Sequence, residues 1–319
     1  MATATADLLK DAKIRKVDKP VSQWDLAWGR LRRHRLAMFG LLTLGLITLA
    51  CIFAPLIAPY SYEEINLNAS YLPFNSPGEP GEPMHLLGTD KLGRDIFSRL
   101  LYAGRISLGV ALVVTILSLL VGTVIGAVSG AFGGAVDSVL MRFTDLMLTI
   151  PQLPMLLILS SSLRQFPQLQ MLLGSSLSVI IIIFVLVVFG WMGDARLVRG
   201  SVLSLRSQDF IEATRSLGAN RSRLVFLHLI PNSMAPIIVA GTLAFGAVII
   251  AESALSFLGF GIMPPVPTWG NMLNEARNSP LEYLFVQALS PGFMIFLTVL
   301  SINFFGDGLR DALDPRLAI

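Results

Sequence analysis

Long apolar runs separated by short polar segments dominate this chain, and several reach the roughly 20 residues a helix needs to cross a bilayer. They predict six membrane helices, over residues 36–58, 104–130, 138–162, 173–193, 233–261 and 287–308. Between the fourth and fifth lies a polar, Arg-bearing island, residues 205–232, reading LRSQDFIEATRSLGANRSRLVFLHLIPN. Phe210, Ala213, Thr214 and Leu217 fall at i, i+3, i+4 and i+7, which predicts a short helix with one apolar face. Ser207 and Asp209 are the expected N-terminal caps and Gly218 the expected stop. Asn220 then caps a second helix carrying Leu224, Val225 and Leu227, until Pro231 ends the pattern. Glu212 and Arg215 lie off the apolar face. A connection this long with helices of its own more often carries function than merely joins its neighbours.

Composition agrees with a membrane protein: 54% of residues are hydrophobic and 14% charged, against roughly 45–50% and 25% in soluble domains. The formal charge is only +3. The basic residues gather in a few loops, which argues against a nucleic-acid surface. Their placement sets orientation. With the N-terminus inside, 18 of the 24 Lys and Arg face the cytoplasm and 6 the other side. Both termini and the 205–232 island are therefore expected in the cytoplasm. The lone cysteine, Cys51, reads as a small core residue. The first 35 residues are polar and basic and the run after them is too long for a signal peptide, so an uncleaved anchor is expected.

Residues 1–20 predict a mobile basic tail. Trp24, Trp28 and Leu31 at i, i+4 and i+7, with Arg30, Arg32, Arg33 and Arg35 opposite, predict a helix lying on membrane lipid; a plain basic flank that fixes orientation is the alternative. The segment from Pro59 to Leu101 is rich in Pro, Gly and acid and predicts an irregular outer loop. In it, Gly88 and Gly93 are expected to organise a turn, with Asp90 and Asp95 bonding nearby amides. Gly122, Gly126 and Gly130 suggest close helix packing, with a pore-lining stripe as the alternative. Pro151 and Pro154 should bend the third helix, as in elements that border a path or gate. Glu252, inside the fifth helix, is expected to take a structural or gate-stabilising role or, as the alternative, to meet substrate. Pro264 to Gly270 predicts a rigid outer loop that either contacts a binding protein or caps the bundle.

Three stretches resemble a known family. Glu212-Ala213, Gly218-Ala219, His228 and Pro231-Asn232 resemble the EAA loop of bacterial ABC importer permeases, with Thr214 where Ala is usual. His85 to Asp95, HLLGTDKLGRD, resembles the HPLGTDxxGRD block of C-type permease subunits of dipeptide, oligopeptide and nickel importers. PPVPTWG at 264–270 and GDGLRDALDPR at 306–316 are similar to that family's PPxPSWG loop and its tail, Thr268 replacing the frequent Ser. The resemblance implies an all-α integral membrane protein with the six-helix type I permease fold and cytoplasmic coupling helices. Its divisions are 1–35 (tail and interfacial helix), 36–58 (first membrane helix), 59–103 (extracytoplasmic loop), 104–308 (five-helix core including 205–232) and 309–319 (cytoplasmic tail). It further implies a bacterial inner-membrane location and a related permease subunit as heterodimer partner. Two cytoplasmic ABC ATPases, which bind the ATP and magnesium, and an extracytoplasmic binding protein complete the implied assembly. By this resemblance Phe210, Glu212, Ala213, Arg215, Gly218, Ala219, Arg221, His228 and Pro231 couple to the ATPases. Asp90, Arg94, Asp95, Pro265 and Trp269 become candidate binding-protein contacts, and Pro151, Pro154 and Glu252 candidate path or gate residues.

The chain shows no phosphate-cradling Gly-Lys-Ser/Thr loop among its five lysines. His34, His85 and His228 lack metal-site spacing, and no hydrolase elbow or convincing pair of catalytic carboxylates is present. Together with these absences, the resemblance implies a non-catalytic permease subunit of an ATP-driven importer, with peptides as first expected cargo and nickel chelates, glutathione or sugars as alternatives. A stand-alone channel or secondary transporter, and a scaffold that only recruits a soluble protein, are the rivals from other classes.

Overall fold

The computed structural model describes residues 23–314, so the tail expected at 1–20 lies outside the described residues. The regular elements among the described residues are helices, with isolated bridges between Ser76 and His85 and between Thr89 and Asp95. In chain order the principal helices are α1 (Gln23–Arg33), α2 (Arg35–Ile52), α3 (Ile96–Phe132), α4 (Gly134–Thr149), α5 (Gln152–Arg164) and α6 (Leu177–Arg206), with short turns of helix at Ala54–Ile57 and Pro167–Leu173 between them. Next come α7 (Asp209–Ser216), α8 (Arg221–Leu224, continuing through a wide turn to Asn232), α9 (Met234–Phe257), α10 (Trp269–Ala276) and α11 (Leu281–Leu313). Helices α2, α3, α6, α9 and α11 are each long and apolar enough to cross a membrane, and α4 with α5 forms a sixth span if the bent pair counts as one.

The helix bounds correct the hydropathy reading. The 37 residues of α3 reach about 55 Å at 1.5 Å each, well beyond a hydrocarbon core of about 30 Å. Helix α3 begins at Ile96, before the expected 104, because Asp95 caps it: its carboxylate accepts from Ser98 N at 2.7 Å. Helices α6 and α11 run on to Arg206 and Leu313, past the expected ends at 193 and 308. Apolar content marks only the part of a helix that lies in lipid. The expected third helix, 138–162, is two helices meeting at 88°. Ile150, preceding a proline, is extended at ψ 127°, and Pro151 follows at ψ 112°, where Pro disfavours the helical conformation before it. Pro154 sits in the first turn of α5, where a missing N–H costs little.

Helix α3 packs along α6 on its small-residue face. A Cβ at Gly122 would stand 2.8 Å from the Trp191 carbonyl, and one at Gly130 2.8 Å from Val202 Cγ1. The Gly122, Gly126, Gly130 stripe is thus a close-packing surface against α6. Cys51 is buried in the apolar cluster that also holds Trp269 and Ile249. Helix α1 departs from the expected face. Ala27 and Leu31 are buried against Ala312 and its neighbours on α11, whereas Trp28 stays exposed, with the Arg32 guanidinium 4.9 Å over its ring; the expectation for Trp24 lies outside the described side chains. Arg30 donates to the Asp314 carbonyl at 3.2 Å, placing a cation at the C-terminus of α11, where the helix dipole favours it. The bundle thus has a tail face, carrying α1, α7, α8 and the end of α11. Its opposite loop face carries residues 58–95 and 258–280.

Candidate functional site

On the tail face, α7 and α8 form a bent pair anchored from one side. Ile211 is the α7 residue that is buried, joining Leu224, Val225 and Leu229 of α8, Val198 and Val202 of α6 and Ile237 of α9. The expected apolar face of α7 points the other way: Phe210 is 43% and Leu217 89% exposed. The helical spacing was right and its direction was reversed, because tertiary packing selects Ile211 instead. Ser207 and Asp209 do not cap α7, whose start at Gln208 has no side-chain cap; Ser207 Oγ donates to the Ser204 carbonyl at 3.1 Å. Gly218 ends α7 at φ +87°, a conformation glycine adopts without strain. Asn220 does cap α8, accepting from Arg223 N at 2.8 Å. The wide turn Val225–Leu229 then meets Pro231, whose missing N–H a regular helix would need.

Glu212, Ala213, Arg215, Gly218, Arg221, Phe226 and Leu227 are exposed, and Ala219 and His228 half-buried. Beneath them lies a cavity of about 430 Å³ lined by Arg206, Ile211, Glu212, Arg215 and Arg221, among others. The exposed surface is therefore apolar at Phe210, Leu217, Phe226 and Leu227 and charged at Glu212, Arg215, Arg221 and Arg223. Beside it, α4 is tied to α6 by Arg199 on Asp137, at 2.5 and 2.7 Å, and by Arg196 on Asp145. Sequence reading took these arginines only as markers of orientation. The signal was a pair of acids eight residues apart on α4 against basic residues three apart on α6.

On the loop face, the HLLGTDKLGRD block is a folded connector. Gly88 and Gly93 have φ +75° and +73°. Asp90 Oδ1 accepts from Leu92 N at 2.8 Å and Arg94 N at 3.0 Å, while Asp95 pairs with His85 Nδ1 at 3.0 Å. Asp90 Oδ2 meets Arg94 Nε at 2.7 Å and also Arg99. Glu275 of α10 completes the cluster, 2.8 Å from Arg94 and 2.7 Å from Arg99. Two acids and two guanidinium groups thus neutralise one another in the interior. Arg99 and Glu275 were not singled out from sequence; nothing local links residues so far apart.

Burial separates the candidate contact residues. Asp90, Arg94 and Asp95 are buried within this connector and Trp269 at the start of α10, and of the five candidates only Pro265 is exposed. Trp269 Nε1 donates to the Leu100 carbonyl at 3.1 Å. Glu252 is also wholly buried; it accepts from Ser256 Oγ at 2.7 Å and Ser107 Oγ at 3.3 Å. Ser107 Oγ in turn accepts from Trp269 N at 3.3 Å. On the far side of the loop, Ser160 Oγ donates to the Phe260 carbonyl at 2.6 Å and Arg164 to the same oxygen at 2.7 Å. Ser256 Oγ also accepts from Ile262 N at 3.1 Å, so the Glu252 cluster and α5 hold the 258–268 loop from two directions. Pro151 and Pro154 are exposed at the bend.

Glu252→Gln is expected to keep this loop in place, since the amide can still bond both hydroxyls. Glu252→Leu strands Ser107 and Ser256, at roughly 1–3 kcal/mol for each unsatisfied group. Limited proteolysis within 258–268 reads the difference, and equal cleavage of the two variants would remove Glu252 from the latch.

A model of the binding-protein-dependent transport system inner membrane component family matches residues 122–319. This chain belongs to that family. A second model, the N-terminal TM domain of oligopeptide transport permease C, matches residues 22–73 of the permease. The permease is 40% identical over 304 residues to the dipeptide transport system permease protein DppC of Alkalihalophilus pseudofirmus, covering 93% of this chain and 91% of that protein. To the oligopeptide transport system permease protein OppC of Bacillus subtilis it is 38% identical over 299 residues, covering 94% and 92%. To the glutathione transport system permease protein GsiD of Shigella flexneri it is 40% identical over 302 residues, covering 95% and 93%. The six-span permease fold expected from the sequence is therefore the right fold class, and the chain is a multi-pass inner-membrane permease.

Proposed function

We propose that this permease forms half of the translocation path of an ATP-driven importer for dipeptides or oligopeptides. The observation that carries the reading is the tail-face element: α7 and α8 are rooted by Ile211, Leu224 and Leu229, while Phe210, Leu217, Phe226 and Leu227 stand free among arginines. Apolar side chains ringed by charge suit a protein partner. The partner is one of two ATPases, which hold the ATP and magnesium, and the tail face with both termini is cytoplasmic. Phe210, Glu212, Ala213, Arg215, Gly218, Ala219, Arg221, His228 and Pro231 transmit its movement, Gly218 and Pro231 fixing the angles of a rigid lever. A related permease subunit supplies the other half of the path. Pro151 and Pro154 mark the part of the bent pair that moves, Glu252 latches the gate, and an extracytoplasmic binding protein meets the loop face around Pro265. The chain itself catalyses nothing. Relatives named for dipeptides and oligopeptides support a peptide cargo; the relative named for glutathione, itself a tripeptide, keeps that solute as the second reading.

In the reconstituted importer, Glu212→Ala and Gly218→Val are expected to lower substrate-stimulated ATP hydrolysis at least tenfold while the permease still folds and assembles. Unchanged stimulation in both variants would overturn the coupling role.

A further inference from the structure

The strongest feature that transport coupling does not use is an apolar cleft between α2, α3, α9 and α11. It encloses about 580 Å³ and is lined by Leu44, Thr48, Leu108, Leu112, Gly241 and Phe245, among others. On α3 the lining follows one stripe from Arg105 through Leu108, Gly109, Leu112 and Thr115 to Leu119. That stripe is about 21 Å long, against about 15 Å for one leaflet's share of the hydrocarbon core. The cleft is open at its floor, where a Cβ on Gly109 would meet no atom within 4 Å.

Its rim is polar in a graded way. Arg105 is the last charged residue before an uncharged run that ends at Asp137, which puts it at the headgroup level on the loop face. Its side chain is exposed and makes no hydrogen bond or ion pair among the described residues. Thr48 lines the same cleft one turn below Ile52, the last residue of α2. A helical threonine commonly donates to the carbonyl four residues back, and Thr43 does so to Phe39 at 2.9 Å. Thr48 makes no such bond among the described residues. The cleft therefore offers a cation at headgroup depth, a free hydroxyl about a turn deeper, and an apolar trough below.

We propose that this cleft binds one phospholipid of the loop-face leaflet. Its phosphate rests on Arg105, an ester oxygen accepts from Thr48, and one acyl chain lies along Leu108, Leu112 and Phe245. A guanidinium matches phosphate in charge and geometry, whereas an apolar helix of a second subunit laid here would leave Arg105 without a counter-charge. Bound there, the lipid fills the gap between α2 and the α3–α9 pair and fixes the first membrane helix to the core.

The test is retention of lipid by the permease purified in mild detergent from its native membrane, then re-exposed to vesicles of phosphatidylethanolamine and phosphatidylglycerol. Native mass spectrometry should find one phospholipid that survives delipidating washes. Arg105→Gln should reduce retention about tenfold, and Gly109→Leu, which fills open space, should abolish it while unfolding at the same temperature as unaltered permease stripped of lipid. Thr48→Val gives a milder, independent loss if Gly109→Leu fails to fold. Equal retention in Arg105→Gln and Thr48→Val would overturn the proposal. So would efficient disulfide capture of a second subunit by Leu112→Cys in intact membranes, since a protein would then occupy the cleft.

Discussion

Glu275→Ala is expected to be the most damaging single change on the loop face, costing on the order of 3–5 kcal/mol, the usual penalty when one member of a buried ion cluster is removed. Glu275 receives two arginines, Arg94 and Arg99, whose side chains are 7% and 3% exposed. Asp90 alone then faces two guanidinium charges that cannot reach water. The consequence spreads because Arg94 belongs to the 59–95 connector, Arg99 to α3 and Glu275 to α10, so one carboxylate joins three segments. Unfolding in detergent should shift to markedly lower temperature. Arg277→Ala, two residues on and exposed, should leave the transition where it was. Glu275→Gln should fall between them, keeping hydrogen bonds while losing charge. A Glu275→Ala protein as stable as the Arg277 control would mean that the cluster is idle.

Gly126→Leu is expected to be nearly as severe and to act at the opposite end of α3. A Cβ at Gly126 would lie 2.9 Å from Val198 Cβ and 3.0 Å from Arg199 N, and would also run into the Ala195 carbonyl. Backbone atoms cannot swing aside as a side chain can, so the helices must separate. Overpacking of this kind costs about 1–3 kcal/mol before any loss of function is counted. Separation also pulls Arg199 away from Asp137 and unties α4 from α6. Gly193→Leu, on the neighbouring helix where a Cβ would meet nothing within 4 Å, is the control and should unfold like the unaltered chain. If both variants unfold alike, the small-residue stripe is not what brings α3 to α6.

The two results would separate what different kinds of residue do along one helix. Glycine lets α3 approach α6 closely in the apolar interior, where dispersion and fit are the forces available. At its loop-face end, where the chain leaves the apolar layer, charge neutralisation and capping by Asp95 take over. The coupling element uses neither and depends on a greasy root beneath an exposed, charged surface.

The sequence by itself determined the class, the existence of the membrane helices and the place of the coupling element. Each rests on strong local physics: apolar length against bilayer thickness, proline against helix continuation, glycine at positive φ after a helix. The bend at Ile150–Pro151 and the turns at Gly88 and Gly93 were legible for the same reason. Tertiary structure alone decided which way each face turns. Periodicity found a stripe on α7, but only contact with α6, α8 and α9 made Ile211 the root and left Phe210 and Leu217 outside. It likewise decided that Asp90, Arg94, Asp95 and Trp269 point inward, because their partners, Glu275 and the Leu100 carbonyl among them, lie in other elements of the chain. A pattern along the chain records how polar a residue is and at what interval it recurs; which neighbour balances its charge or covers its surface is set only when distant helices meet.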